Sequence, residues 1–181
     1  STATTVSETV AAGGDDGYWD DMGTFDNTNT TMNVGYTGMG MTEDSYARFT
    51  TVALAQGETI LTATLTLIVG ANASAAFDMA IRGEDVDDSS QYAVDSDASG
   101  ATLTTASVTW TGDASWETGD SAESPSIPTI IQEIVDRGGW STGNDLTLQI
   151  KYDGAGSGAE AYQFKTFDDD STVAAVLTVT Y

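Results

Sequence analysis

Apolar and polar residues alternate at every second position over much of this chain, and this pattern restricts the fold more than any other feature. Successive side chains of a β-strand point to opposite faces of a sheet, so the alternation predicts strands with one buried face and one solvated, threonine-rich face. The clearest alternating segments are 61–69, 77–82, 146–152 and 175–181. Weaker strands are predicted at 4–10, 45–52, 105–110 and 160–167.

One segment has the period of a helix instead. Its apolar residues are spaced by three and four positions, which places them on one face of a helix. They are Ile127, Ile130, Ile131, Ile134 and Val135. We therefore predict a short α-helix near 127–137 that packs its apolar face against the sheets.

The flanking residues fit the ends of that helix. Ser126 is predicted as the N-cap, and Pro128 falls in the first turn, where its missing N–H costs nothing. Arg137 in the last turn suits the helix dipole. Gly138 and Gly139 are predicted to end the helix in a left-handed conformation.

These elements together predict an all-β fold, an antiparallel two-sheet β-sandwich with one short helix. Two long acidic connections, at 13–42 and 84–100, favour a jelly roll over an immunoglobulin-like arrangement. We predict a single jelly-roll domain over residues 1–181. Within it, residues 1–44 are predicted to form an N-terminal strand and a long acidic loop.

The chain is strongly acidic, with 28 Asp and Glu against 5 Lys and Arg and a formal net charge of −23. Affinity for phosphate depends on Lys and Arg, so this charge argues against nucleic acid or an anionic membrane as a partner. The acid excess, with Lys151 and Lys165 as the only lysines, is typical of a halophilic protein. The alternative is an ordinary acidic secreted protein that offsets its charge with bound Ca²⁺.

Histidine and cysteine are both absent from the sequence, which excludes several kinds of active site. Ser-His-Asp catalysis, cysteine nucleophiles and zinc sites made of thiolates or imidazoles each need one of these residues. Carboxylate pairs can act as acid and base in glycoside hydrolysis, but the spacing singles out no pair. We therefore predict that the chain is not an enzyme, and we name no catalytic residue.

Runs of acidic residues in loops supply the oxygen ligands that Ca²⁺ takes in proteins. The run Asp168, Asp169 and Asp170 lies between two predicted strands, and we predict it as the metal site. None of the acidic runs has the spacing of an EF-hand loop. The alternative for each run is a solvated acidic surface loop.

Aromatic residues are the other candidates for a ligand site, because their rings can stack on sugars. Tyr18 and Trp19 lie in a predicted loop between two pairs of aspartates, and we predict them as ligand-binding residues. The alternative is that the pair anchors this loop in the interior. Trp110 ends a predicted strand and Trp140 follows the predicted helix, so both are predicted to be buried.

Three parts of the sequence carry a family resemblance. They are Tyr46-Ala47-Arg48-Phe49 with Ala63-Thr64-Leu65-Thr66-Leu67, then Val108-Thr109-Trp110 with Trp116-Glu117, then Ile130-Ile131-Gln132-Glu133-Ile134-Val135-Asp136-Arg137 with Gly139-Trp140-Ser141. Over residues 45–181 the chain resembles a jelly-roll domain of the DNRLRE type, which is similar to a carbohydrate-binding module. Such domains occur in structural proteins of tailed viruses and in surface proteins of aquatic microbes. The resemblance implies a non-catalytic binding or packing module, and it carries over no ligand site.

From this resemblance and the absence of catalytic residues we predict a virion structural protein, either a capsid decoration or a tail-surface protein, of a virus from saline water. Its predicted partners are other virion proteins and further copies of itself, as a trimer, with glycans as additional ligands. Its predicted location is the virion surface, without membrane insertion, and Ca²⁺ is the one cofactor expected. The alternative is a carbohydrate-binding or adhesive module that is extracellular or on a cell surface.

Overall fold

The computed structural model describes residues 2–37, 40–154 and 159–181. The strands are β1 (Thr5–Thr9), β2 (Asp16–Asp20), β3 (Phe25–Asp26), β4 (Thr31–Tyr36), β5 (Thr42–Phe49), β6 (Thr62–Ile68), β7 (Asp78–Gly83), β8 (Val108–Thr111), β9 (Ser121–Glu123), β10 (Leu146–Tyr152), β11 (Glu160–Lys165) and β12 (Val176–Thr180). The helices are α1 (Asp95–Ser99) and α2 (Pro128–Val135), and a 3-10 turn occupies Gly13–Asp15.

The strands form two antiparallel sheets that pack face to face. The first, sheet A, has four strands in the order β1-β12-β6-β9. The second, sheet B, has eight strands, of which six follow the order β11-β4-β5-β10-β7-β8, while β2 joins by pairing with β5 and β3. The predicted fold class, an antiparallel all-β sandwich of the jelly-roll type, is confirmed.

The alternating segments of the sequence form the expected strands. The four clear segments contain or overlap β6, β7, β10 and β12, and the four weaker ones contain or overlap β1, β5, β8 and β11. Burial follows the alternation, so that the odd-numbered residues of β6 between 63 and 67 are buried and the even-numbered ones are more exposed. In β6 the period of the sequence therefore determines which face meets the core, whereas β10 is buried on both faces from Leu146 to Ile150.

The main core lies between the two sheets. Leu65 and Leu67 of β6 belong to the same buried cluster as Met79 of β7 in the other sheet. Trp110 and Trp140 join this cluster with 3% and 2% of their surface exposed, so their predicted burial is confirmed. In the described ranges of the chain, no helix is both long and apolar enough to cross a membrane.

The predicted helix is confirmed as α2, but its N-terminal end differs from the prediction. The residues that α2 buries are Ile130, Ile131, Ile134 and Val135. The N-cap is Ile127 rather than Ser126, and it makes no side-chain capping bond. Its N–H donates instead to the Ala63 carbonyl of β6 at 2.8 Å. Docking onto the neighbouring strand therefore takes the place of a capping side chain.

The C-terminal end of α2 also differs from the prediction. Asp136 is the C-cap in a right-handed conformation with φ −77°, and neither Gly138 nor Gly139 has a positive φ. Gly139 lies close to the Asp87 carboxylate, so a Cβ built on it would be 2.1 Å from Asp87 Oδ2 and would make that side chain move. That carboxylate accepts a hydrogen bond from Arg137 Nε at 2.8 Å.

The two long acidic connections contain more regular structure than predicted. Residues 13–42 form β2, β3 and β4, so the prediction of a long acidic loop within 1–44 is wrong. In β4 the inward residues Met32 and Val34 are fully buried, but Asn33 and Gly35 weaken the alternation in the sequence. Residues 84–100 contain α1, whose Ala98 packs on the outer face of sheet B.

Candidate functional site

A cleft lies on the outer face of sheet B, the face turned away from the main core, and we call it the outer cleft. It is lined by Trp19, Asp20, Asp21, Gly23, Thr42, Asp44, Asp95, Ser99 and Lys151. Its volume is about 390 Å³, which falls within the range of small-molecule sites.

Strands β2, β5 and β10 form the floor of the outer cleft. Trp19 pairs with Asp44 across β2 and β5, and Lys151 lies one strand further, where its Nζ is 3.3 Å from Asp44 Oδ2. Side chains at paired positions of neighbouring strands point to the same face. The register of the sheet therefore brings an indole, a carboxylate and an ammonium group into one row.

Helix α1 and the loop before it form one wall of the cleft. They are held to the sheet by a second small cluster of buried residues, made of Trp19, Tyr46, Tyr92 and Ala98. Gln149 is wholly buried beneath this wall, and its Nε2 donates to the Ala98 carbonyl at 2.9 Å and to the Tyr92 hydroxyl at 3.2 Å. The wall that carries two of the cleft residues, Asp95 and Ser99, is therefore anchored by buried contacts.

The turn after β2 forms the opposite wall. Asp20 Oδ1 accepts the N–H groups of Met22 at 2.9 Å and Thr24 at 2.8 Å. Burial acts to raise the pKa of Asp20, but the hydrogen bonds from this turn outweigh it and hold the pKa below its ordinary value. Asp21 Oδ1 accepts the Thr42 N–H at 3.3 Å, which ties the turn to β5. Asp20 is therefore an ionised carboxylate at neutral pH.

Lys151 provides the positive charge of the outer cleft. Its Nζ lies 5.6 Å from the centre of the Trp19 ring, which is a cation–π distance. Burial raises the pKa of Asp44, while the Lys151 ammonium and the Tyr152 N–H act in the opposite direction. The Tyr152 N–H donates to Asp44 Oδ1 at 2.8 Å. Both oxygens of Asp44 are therefore engaged by groups of β10.

Asp95 has one oxygen without a hydrogen-bond partner. Its Oδ2 accepts the Ser99 hydroxyl at 3.2 Å, whereas its Oδ1 is buried and unpartnered. The lining of the cleft contains four carboxylates and one ammonium group, a formal charge of −3. Such a lining accepts more hydrogen bonds than it donates, so it suits a ligand rich in hydroxyl or ammonium donors.

The two predicted ligand-binding residues lie on opposite faces of β2. Trp19 lines the outer cleft, although only 3% of its surface is exposed, so little of the indole is accessible to stack on a sugar ring. Tyr18 packs against the main core, where burial raises the pKa of its hydroxyl. The structure therefore does not bring Tyr18 and Trp19 together, and their role in binding stays a prediction.

The three predicted metal ligands, Asp168, Asp169 and Asp170, face different partners. Asp169 Oδ2 pairs with Lys165 Nζ at 2.8 Å. Asp170 Oδ1 accepts the Thr172 N–H at 2.8 Å, and this hydrogen bond lowers the Asp170 pKa. Asp168 lies against the backbone of the turn at residue 13. Across the described part of the chain, no group of three acidic side chains is arranged to hold a metal ion.

Sequence reasoning missed the residues that meet Trp19 in the cleft, which are Asp44, Asp95 and Lys151. They belong to β5, α1 and β10, and they meet only through strand register and the docking of α1. No local pattern encodes that meeting. One signal was available, because Lys151 is one of only two lysines and occupies the polar face of a clearly alternating strand.

Comparisons with known proteins place the chain among similar folds. No protein-family model matches it, and no curated protein matches its sequence. Among solved structures it is similar to the xylan-binding module CBM15, with 12% identity and a TM-score of 0.40 over 98% of this chain and 97% of that one. It is also similar to a family 35 carbohydrate-binding module from Clostridium thermocellum, with 8% identity and a TM-score of 0.37 over 97% of each chain.

A third similar structure is CBM35 from Paenibacillus barcinonensis, with 14% identity and a TM-score of 0.32 over 98% of each chain. No residue role is carried from these modules to this chain. The resemblance to the DNRLRE type and the virion location both stay predictions.

Proposed function

We propose that the chain is a non-catalytic glycan-binding module whose ligand occupies the outer cleft. The observation that carries this proposal is the lining of the cleft, in which carboxylates, hydroxyls and one ammonium group lie around an almost completely buried indole. A sugar offers hydroxyl groups that both donate and accept hydrogen bonds, and this lining matches them. Because the lining lies on strands and an anchored helix, little conformational entropy is lost when a ligand binds.

The charge of the cleft selects among glycans. Four carboxylates against one ammonium repel uronic acids and sulfated sugars, because like charges oppose each other across a partly desolvated site. Lys151 offsets only one of these charges, that of Asp44, with which its ammonium is paired. We therefore expect the ligand to be a neutral or amino-bearing glycan rather than an acidic one.

The state of the cleft carboxylates supports binding rather than catalysis. Glycoside hydrolysis needs one carboxyl group that delivers a proton and a second that is free to act as base or nucleophile. Asp20 is held ionised by the N–H groups of its turn. Asp44 has both oxygens engaged by Lys151 and Tyr152. Both carboxylates therefore act as acceptors for donors of the protein itself.

Lys151→Ala is expected to weaken binding of a neutral polysaccharide by about tenfold. The change removes a hydrogen-bond donor and leaves Asp44 as an uncompensated, partly buried charge, and the loss of one such interaction is worth about 1.4 kcal/mol or more. The measurement is affinity electrophoresis against a panel of neutral, amino-bearing and acidic polysaccharides, followed by calorimetry with the best ligand.

Lys165→Ala is the matched control for this experiment. Lys165 is the other lysine of the chain and pairs with Asp169 outside the cleft, so its removal changes the net charge equally and should leave the affinity unchanged. If the unaltered chain binds none of the polysaccharides, the proposal is wrong. Release of reducing ends from a bound polysaccharide would contradict its non-catalytic part.

A second candidate function, assembly on a virion surface, is favoured by the outer face of sheet A. On β1 and β12, Thr5 pairs with Thr180 and Ser7 with Thr178, with side-chain oxygens 2.9 and 3.2 Å apart. The face continues on β6 with Thr62, Thr64 and Thr66. In a chain with a net charge of −23, this hydroxyl-rich face, which carries Glu123 of β9 beside Thr66, is where a neighbouring subunit meets less repulsion than elsewhere.

Thr64→Glu is expected to convert such an assembly into monomers, because it places a further carboxylate at the centre of the hydroxyl-rich face. The measurement is size-exclusion chromatography with light scattering over a range of protein concentrations. Thr109→Glu is the control, since Thr109 is exposed on β8 in the other sheet. If the unaltered chain is monomeric at every concentration, it does not self-assemble through this face.

A further inference from the structure

We infer that the outer cleft selects glycans that carry a free amino group, and that Asp95 is the residue that sets this preference. The inference rests on the proposed glycan binding and decides between the two classes of ligand that the charge of the cleft admits. The ligand is an amino sugar whose nitrogen is a protonated primary amine, rather than a neutral or N-acetylated sugar.

The outer cleft already holds one primary ammonium, which belongs to the chain itself. Lys151 Nζ lies 3.3 Å from Asp44 Oδ2 and 5.6 Å from the centre of the Trp19 ring. A carboxylate beside an aromatic face favours an ammonium, because the negative charge and the ring quadrupole both attract it. The floor of the cleft therefore has the chemistry of an amine site, of which Lys151 neutralises only the Asp44 part.

The other three carboxylates of the cleft, Asp20, Asp21 and Asp95, have no lysine or arginine paired with them in the described part of the chain. Asp20 and Asp21 accept backbone N–H groups that belong to their own turn and to β5. Asp95 Oδ2 accepts the hydroxyl of Ser99 at 3.2 Å, and Asp95 Oδ1 has no hydrogen-bond partner. Asp95 is therefore the carboxylate of the cleft that the protein compensates least.

Each of the five Lys and Arg side chains is bonded to a group outside this set of three carboxylates. The pairs are Arg48 with Asp15 and Asp145, Arg82 with the Thr104 carbonyl, Arg137 with Asp85 and Asp87, Lys151 with Asp44, and Lys165 with Asp169. A positive charge for the three carboxylates is therefore one that a ligand brings. A metal ion is not favoured, because no three acidic side chains within residues 2–37, 40–154 and 159–181 are arranged to hold one.

The three carboxylates come from opposite walls of the cleft. Asp20 and Asp21 belong to the turn after β2, whereas Asp95 belongs to α1. A sugar between these walls meets acceptors on both sides, with the residues Thr42 and Ser99 in the lining available to its hydroxyl groups. A protonated amine offers three N–H donors and a positive charge, whereas an N-acetyl group offers one N–H donor and no charge. The same cleft therefore binds the free amine more tightly.

A short glucosamine oligomer with free amines is expected to bind about tenfold more tightly than the same oligomer after N-acetylation, because its hydrogen bonds are charge-assisted. The measurement is calorimetric titration of the full chain with both oligomers, at a pH below the pKa of the sugar amine. The ionic strength is fixed, because a chain of net charge −23 attracts any polycation. At about 1 M NaCl, where the Debye length is about 3 Å, most of the preference should be lost.

Asp95→Asn is expected to lower the affinity for the free-amine oligomer about tenfold and to leave the affinity for the N-acetylated oligomer nearly unchanged. Asparagine keeps an oxygen for the Ser99 hydroxyl and removes only the charge. Asp113→Asn is the matched control, because Asp113 lies in an exposed turn outside the cleft, where an asparagine can still accept the Ser115 N–H. It should change neither affinity, and thermal unfolding shows whether each variant is folded.

Equal affinity for the two oligomers, or an equal loss of affinity in Asp113→Asn, would overturn the inference and leave the proposed glycan binding intact. Binding of a neutral polysaccharide but not of the free-amine oligomer would do the same. An oligolysine of the same charge that binds as tightly, and with the same dependence on Asp95, would also overturn it, since the cleft would then recognise an ammonium without its sugar. If the chain binds neither oligomer and no neutral polysaccharide, the proposed function is wrong and the inference fails with it.

Discussion

Replacing Ile131 by aspartate is expected to lower the free energy of unfolding by about 3–5 kcal/mol. Ile131 has no exposed surface and lies in the middle of the apolar stripe that α2 packs into the main core. An aspartate there must either lose its hydration without gaining a partner or push the helix away from the sheets. Either outcome removes a large part of the stability of a domain of this size.

Urea denaturation followed by tryptophan fluorescence measures this loss, because Trp110 and Trp140 belong to the same core cluster as Ile131. Thr129→Asp is the matched control, since Thr129 is exposed on the same helix and its change should stay within about 0.5 kcal/mol. An unchanged denaturation midpoint for Ile131→Asp would show that α2 does not hold the sandwich together.

The period of the sequence was enough to predict the elements whose burial is regular along their whole length. β6 and α2 each keep one apolar face without interruption, so residue spacing alone predicts their type and the face that they bury. β2 and β4 were missed because Gly17 and Gly35 interrupt them and because acidic residues flank β2. Their identity as strands depends on pairing with β5 and, for β4, mainly with β11, and the β4–β11 contact is distant in sequence.

The outer cleft was predictable only in part for the same physical reason. Trp19 stood out as an aromatic residue among acidic ones, but its partners Asp44 and Lys151 lie on strands whose order in the sheet is not written in any local pattern. The N-terminal end of α2 was likewise not predictable from local sequence, since Ile127 is fixed by the Ala63 carbonyl of a neighbouring strand.

The two aspartates at the start of β2 have different environments, and the composition of the chain does not reveal this difference. Asp15 and Asp16 are adjacent, and the sequence gives no reason to treat them differently. In the structure, Asp15 Oδ1 accepts hydrogen bonds from Arg48 Nη1 at 2.6 Å and from Gln91 Nε2 at 3.1 Å. Asp16 points to the other face of sheet B, where its Oδ1 has no partner. Because β2 begins at Asp16, these two adjacent aspartates have different surroundings. Asp15 is paired with a cation, whereas Asp16 Oδ1 has no partner.

Replacing Asp16 by asparagine is expected to raise the free energy of unfolding, at pH 8 and in EDTA, by up to about 4 kcal/mol. Burial, followed by the charges of Asp168 and Asp15, raises the pKa of Asp16 from 3.8 to about 7 in the folded chain. That difference corresponds to about 4 kcal/mol of linkage. Asparagine has nearly the same shape, is neutral at every pH and keeps an oxygen for the Phe167 N–H.

The direction of the pH dependence follows from the direction of the shift. Below pH 3.8 the carboxyl is protonated in both states, so the two chains should be similarly stable. Between 3.8 and about 7 the unfolded chain releases a proton that the folded chain retains, so a rise in pH favours unfolding of the unaltered protein. Urea denaturation across this range measures the difference in free energy of unfolding between Asp16→Asn and the unaltered chain. This difference should widen as the pH rises and then become constant.

Asp153→Asn separates this effect from general charge repulsion, because it removes an exposed carboxylate from the same acidic surface. The free energy of unfolding of Asp153→Asn should change with pH in the same way as that of the unaltered chain. If the difference in stability between Asp16→Asn and the unaltered chain does not widen with pH, the prediction is wrong.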